Sequence, residues 1–230
     1  MQSQMALDLS LRSEPSLDNF VTGKNAELMH VLREMLAKPG ERFLYLWGGP
    51  GSGRSHLLKA MVDAFRQQHL SASYLSCAAD IEFAPGVNQL DMIAVDDVER
   101  LSSPAQIGLF NLYNHVREGQ AVLLVSGKLP PAQLRLREDL ITRLGWGLVF
   151  EVHALNDEEK AQALKQHARE RGFALPQEVA DYLLRHGRRD MPSLLAILDA
   201  LDNFSLQAKR PVTLPLLREL IQSSLFPGGQ

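Results

Sequence analysis

Apolar residues along the chain fall into short continuous runs separated by segments with helical periodicity. Phe43 to Trp47 is one such run, Met92 to Val95 and Ala121 to Val125 are two more, and Leu148 to Val152, interrupted by Glu151, also reads as a strand. Ser73 to Leu75 is a weaker fifth. Runs of four to five apolar residues bounded by Gly or Asp predict strands buried on both faces. Between them the spacing predicts helices over 25–37, 54–68 and 103–118. Ser103 reads as the N-cap of the last of these, with Pro104 at its first helical position and Gln106 at its third, and Gly119 as its end. After residue 153 the strands stop. Asn156 with Glu159 forms a capping-box signal, and helices are expected over 157–171, 177–186, 191–207 and 214–224, broken by Gly172, Gly187 and Pro211. Strands alternating with helices imply a parallel sheet covered on both faces, followed by a small helical bundle. The expected organisation is a tail over 1–16, an α/β domain over 17–153 and a helical lid over 154–230.

The segment Gly48-Gly49-Pro50-Gly51-Ser52-Gly53-Arg54-Ser55 changes this from a fold class to a site. It matches G-x-x-x-x-G-K-[ST] with arginine in the lysine position, and it follows a strand and opens a helix. Glycines let the backbone wrap a phosphate, while loop N–H groups and the helix N-terminus supply positive potential. Ser55 is the hydroxyl for Mg²⁺, and Arg54 the cation for the β- or γ-phosphate. An arginine fork does not reproduce a compact ammonium, so nucleotide binding is expected and hydrolysis by the chain itself is expected to be weak. His56, one position on, is grouped with the loop by place, although its chemistry is that of a structural residue. The run Leu90 to Asp97 ends in paired carboxylates. Asp96 is the expected water-mediated Mg²⁺ holder and Asp97 the candidate to orient water. Ser126 stands at the end of the fourth strand, where a polar side chain can sense the phosphates.

Charge and composition remove other readings. The net charge is −3 and the pI about 6.2, without the basic surplus of a duplex-DNA binder, so direct sequence-specific DNA binding is not expected. Cys77 is the single cysteine, which precludes an internal disulfide. The N-terminus carries no signal-peptide pattern and no apolar run reaches membrane-spanning length, so the cytoplasm is the expected compartment and no membrane partner is expected. The seven histidines show no metal-ligand spacing.

Four motifs in order resemble the DnaA-related family of AAA+ proteins, and within it the regulatory-inactivator (Hda) group. Leu17-Asp18-Asn19-Phe20-Val21-Thr22-Gly23-Lys24-Asn25 is similar to the segment that packs Phe and Val side chains around adenine. Gly53 to Leu58 is similar to G-K-T-H-L-L. Leu140 to Gly147 resembles the box that carries an arginine finger, which makes Arg143 the finger. Arg189, with Arg188 as the alternative, lies where the family places a lid arginine. Gln4-Met5-Ala6-Leu7-Asp8-Leu9 resembles a sliding-clamp-binding peptide, in which Gln4, Met5, Leu7 and Leu9 would fill pockets. Unlike DnaA itself, the sequence shows neither a helix-turn-helix domain nor a large N-terminal domain. The resemblance implies an AAA+ P-loop fold with a five-stranded parallel sheet and a lid, ADP (or ATP) with Mg²⁺, and two partners: the DnaA initiator and the DNA polymerase III sliding clamp. Self-association through the finger face is a further implication. It also implies a regulatory inactivator that makes DnaA hydrolyse its ATP through Arg143. An independent AAA+ ATPase and a helicase-loader-like remodelling protein stay open at this point.

Overall fold

The computed structural model describes residues 14–37, 40–77, 83–84, 86–187 and 190–225. The chain divides by its internal contacts into a unit over Pro15–Ala154 and one built on Leu155–Gln230. The first unit holds a five-stranded sheet in the order β2-β3-β4-β1-β5, all neighbours parallel. Its strands are β1 Phe43–Trp47, β2 Ala72–Ser76, β3 Met92–Asp96, β4 Val122–Gly127 and β5 Leu148–Glu151. Every residue of β3 and β4 is buried, as their unbroken apolar character predicts.

Side chains alternate across the strands and so divide the core in two. Leu44 and Leu46 of β1, Met92 and Ala94 of β3, and Leu124 of β4 face α1 (Ala26–Ala37) and α2 (Arg54–Gln67). There they meet Leu28, Met29, Leu32, Leu57, Leu58 and Met61. Tyr45, Ile93, Val95, Leu123 and Val125 point the other way, onto α3 (Ser103–Glu118) and α4 (Glu138–Leu144), against Leu109, Leu112, Val116, Leu140 and Leu144. α3 starts one residue earlier than the Ser-Pro pattern suggests. Ser102 is the N-cap, accepting from the Ala105 N–H, and Ser103 and Pro104 already lie in the helix. Both serines can cap. Pro104 tolerates either of the first helical positions because neither needs its N–H, so the pattern is degenerate by one residue.

The second unit consists of α5 (Asp157–Glu170), α6 (Gln177–His186), α7 (Met191–Ala208) and α8 (Leu214–Leu225). The capping box at its start is formed: Asn156 Oδ1 accepts from the Glu159 N–H at 2.8 Å, and Glu159 accepts from the Asn156 N–H at 2.8 Å. Asp190 caps α7 through the Ser193 N–H at 3.0 Å. Leu164, Ala168, Val179, Leu183, Leu194, Leu198, Leu201 and Leu216 are buried within this bundle. On its polar side Arg171 pairs with Asp199 at 3.3 Å and Asp202 at 3.1 Å, and His167 meets Asp199 at 2.7 Å. No helix among the described residues is long and apolar enough to cross a membrane.

In the first unit, one buried amide ties the N-terminal segment to the sheet. Asn25, 3% exposed, donates to the Thr22 carbonyl at 3.1 Å and the His153 carbonyl at 3.0 Å, and accepts from the His153 N–H at 2.8 Å. An alanine there strands backbone groups that the amide satisfies. Asn25→Ala is expected to cost about 1–3 kcal/mol of stability, read as a lower urea midpoint. A midpoint equal to that of the unaltered chain would show that water replaces the amide.

Candidate functional site

The glycine-rich loop leaves β1 at the C-terminal edge of the sheet, where ligands of open α/β sheets collect. Gly48 passes so close to β5 that an added Cβ would lie 2.5 Å from the Val152 carbonyl oxygen. Gly53 has φ +102, and a Cβ there would lie 2.7 Å from the Phe20 ring. Position 53 therefore requires glycine on two counts. Gly49, Pro50 and Gly51 form the exposed tip, while Ser52 and Arg54 turn inward and are buried. Gly53 caps α2 without any side-chain hydrogen bond, which leaves first-turn N–H groups directed at the loop. Ser52 Oγ and Arg54 Nη1 are buried without a hydrogen-bond partner among the described residues. Orphaned donors inside a glycine-rich loop at a helix N-terminus suit a phosphate, whose oxygens accept in several directions.

Arg54 points toward the carboxylate pair. Its Nη2 donates to Asp97 Oδ1 at 3.2 Å. Asp97 adopts φ 59, a left-handed turn that ends β3 and aims its carboxylate at the loop. Asp96 is 2% exposed. One of its oxygens accepts from the Ser126 hydroxyl, and the other from the Tyr74 hydroxyl at 2.6 Å. Ser126 Oγ also accepts from the Asp97 N–H at 3.3 Å, so one serine binds both members of the pair. Lys128 lies 3.7 Å from Glu99, and its N–H donates to the same carboxylate at 3.3 Å.

The electrostatics follow from this crowding. Burial first, then the charges of Asp96 and Glu99, push the Asp97 carboxyl above its usual range, while Arg54 and Lys128 pull it back. The Tyr74 phenol is raised by burial and by its bond to Asp96. Burial and the same carboxylates push the Cys77 thiol up to about 12, which makes it unreactive at neutral pH.

Phe20 packs over Gly53 and holds the His56 ring at 5.6 Å, tilted by 48°. His56 in turn meets the Ser16 carbonyl at 2.9 Å. The segment carrying Phe20 and the half-buried Val21 is thus set against the loop. Ser55 is half-buried on the first turn of α2. Loop, Asp96, Asp97, Ser126 and Phe20 are brought to one edge. Arg143 belongs to another surface, on α4. Its guanidinium carbon lies 4.1 Å from the Trp146 ring centroid, 5.3 Å from that of Phe110 and 5.9 Å from that of Tyr113. Its Nε is buried with no hydrogen-bond partner among the described residues. Gln4, Met5, Leu7, Leu9, Arg188 and Arg189 lie outside the described residues. Among those described, no group of three His, Cys, Asp or Glu side chains could hold a metal ion.

Tyr74 escaped the motif reading, although a polar tip on a half-buried strand signals that it seeks a partner. Trp146, inside the box that contains Arg143, lies just past the end of α4, where its N–H donates to the Arg143 carbonyl at 3.1 Å and the turn brings ring and guanidinium together.

A family model described as the bacterial DnaA ATPase domain matches residues 11–151, more than half of the chain. The chain belongs to the DnaA family of AAA+ proteins. A second model, described as the Hda lid domain, matches residues 157–221. Together they make the chain an Hda/DnaA-like AAA+ protein, a DnaA-related replication regulator. Solved structures share the fold at low identity. The replication initiator DnaA bound to AMPPCP and single-stranded DNA is 20% identical, with 86% of this chain and 69% of that one covered and a TM-score of 0.66. Domain III of the Thermotoga maritima replication initiation protein DnaA is 19% identical over 91% and 96% of the two chains, also at 0.66. The T. maritima RuvB Holliday junction branch migration motor is 16% identical over 92% and 72%, at 0.63. Within this DnaA-like frame, the arginine of the glycine-rich loop and the second carboxylate form one electrostatic unit.

Because the folded value of Asp97 is raised, its contribution to stability is complete below the ordinary carboxylate range and is lost as pH rises through the shifted value. Arg54→Ala removes the principal charge opposing that shift. Carboxyl NMR is expected to show Asp97 titrating at higher pH in Arg54→Ala than in the unaltered chain. Titration at the same or lower pH would mean that the pair at 3.2 Å is not electrostatically coupled.

Proposed function

We propose that this DnaA-related regulator holds an adenine nucleotide at the loop Gly48–Ser55 and uses Arg143 to promote hydrolysis of ATP on the DnaA initiator. Membership of the DnaA family together with an Hda-type lid carries the reading. Two features of the site support nucleotide binding. Ser52 Oγ and Arg54 Nη1 are buried without a hydrogen-bond partner among the described residues, and Phe20 with Val21 stands beside the loop where an adenine can stack. ADP is the proposed resident nucleotide. Ser55 and, through water, Asp96 would hold Mg²⁺, which when bound neutralises phosphate oxygens. Ser126 steadies Asp96, and Arg189 of the lid is the proposed further phosphate contact.

Weak hydrolysis by the chain itself follows from the Arg54–Asp97 pair. A carboxylate engaged by a guanidinium at 3.2 Å is less available to orient water. Arg143 differs. It rests on aromatic rings and forms no ion pair among the described residues, so it can meet the developing charge on a partner's nucleotide. The peptide Gln4, Met5, Leu7 and Leu9 is proposed to dock on the sliding clamp loaded on DNA, which raises the local concentration of the regulator where replication has passed. Self-association through the Arg143 face belongs to the same proposal.

With DNA-loaded clamps and ATP-bound DnaA, addition of this protein is expected to accelerate conversion of the bound ATP to ADP. Arg143→Ala is expected to remove that acceleration by about 10³-fold or more. Deletion of residues 1–11 is expected to abolish the clamp requirement together with most of the stimulation. Conversion that ignores the protein, with active DnaA and loaded clamps, would overturn the reading. Hydrolysis by the isolated chain at a comparable rate would favour an independent ATPase.

A further inference from the structure

Tyr74 occupies the middle of β2, where the parallel register places it beside Ala94 and sets Ser76 beside Asp96. Its ring packs on the α2 side of the sheet, with the Lys59 ammonium 4.9 Å from the ring centroid. From there the phenol extends to the C-terminal edge and donates to Asp96 Oδ2 at 2.6 Å.

The second oxygen of Asp96 accepts from Ser126 on β4. Two hydroxyls from the two strands flanking β3 therefore hold the carboxylate plane. Each carboxylate oxygen can accept twice, so both retain a lone pair for metal-bound water. Mg²⁺ requires near-octahedral geometry with oxygens at about 2.0–2.1 Å, and a site with one carboxylate and one hydroxyl has little other means of fixing their directions. Side chains that orient ligands in this way govern metal affinity almost as strongly as the ligands do.

We propose that Tyr74 is a positioning residue for a divalent cation of the magnesium class, its hydroxyl acting with that of Ser126 to set the angle at which Asp96 presents its oxygens. The proposal rests on the nucleotide-binding reading. It separates Tyr74 from mere packing, because phenylalanine keeps the ring and its core contacts and removes only the hydroxyl.

The test uses the full chain and N-methylanthraniloyl-ADP, titrated in EDTA and then with increasing Mg²⁺. In the unaltered protein Mg²⁺ is expected to tighten binding. Tyr74→Phe is expected to bind the probe in EDTA as the unaltered protein does, with a matching thermal melt, and to need about ten-fold more Mg²⁺ for half of the effect. Asp96→Asn is expected to lose the Mg²⁺ response altogether. A Tyr74→Phe variant with an unaltered Mg²⁺ response would overturn the proposal, as would one that loses the probe in EDTA, since its role would then be general. An unaltered protein that binds the probe but ignores Mg²⁺ overturns the metal role and leaves nucleotide binding standing. An unaltered protein that binds no probe overturns both.

Discussion

The position of β1 between β4 and β5 is the constraint from which the functional edge follows. A parallel strand inserted at that place delivers its following loop to the C-terminal edge between the ends of β4 and β5. On one side the loop meets the end of β5, close enough that Gly48 has no room for a side chain. On the other it faces the ends of β3 and β4, which carry Asp96 and Ser126. Neither contact depends on sequence neighbours. Both are produced by a pairing between segments far apart in the chain, stabilised by the two apolar layers that bury the sheet.

Polar groups at this edge are arranged so that few are alone. Each oxygen of Asp96 accepts one hydroxyl, Asp97 shares Arg54 with the loop, and Lys128 answers Glu99. Glu99 Oε1 has Lys128 at 3.7 Å but no hydrogen bond, and within the loop the Ser52 hydroxyl and one arm of Arg54 have no hydrogen-bond partner among the described residues. Burying such groups unpaired costs free energy unless something else meets them, so their location inside the loop is itself an argument for an anionic ligand. On the opposite surface Arg143 departs from the same rule in another way. Its cation is balanced by the quadrupoles of Trp146, Phe110 and Tyr113, which orient the guanidinium while leaving its charge intact.

Much of this was legible before any coordinates. Continuous apolar runs specified β1, β3 and β4 closely because a strand buried on both faces has few polar alternatives. The loop was legible because its glycines, helix start and preceding strand all agree. β2 was only partly visible: Ala72 and Ser76 join it through pairing with β3, and Ser and Tyr do not announce burial. The partner of Arg54 was not legible, since it depends on the left-handed turn at Asp97, a conformation that spacing does not encode. Tyr74 was missed for a related reason. Its hydroxyl acquires meaning only when register brings β2 beside Asp96.

Cys77 shows how the same edge shapes chemistry beyond the nucleotide site. It is the sole thiol of the chain, and burial, with the nearby carboxylates behind it, pushes it up to about 12. A maleimide or an oxidant at neutral pH meets almost no thiolate there. The native sequence is therefore already a nearly silent background for site-directed labelling: a cysteine introduced at any exposed position would carry a fluorophore or spin probe selectively, with Cys77 left in place.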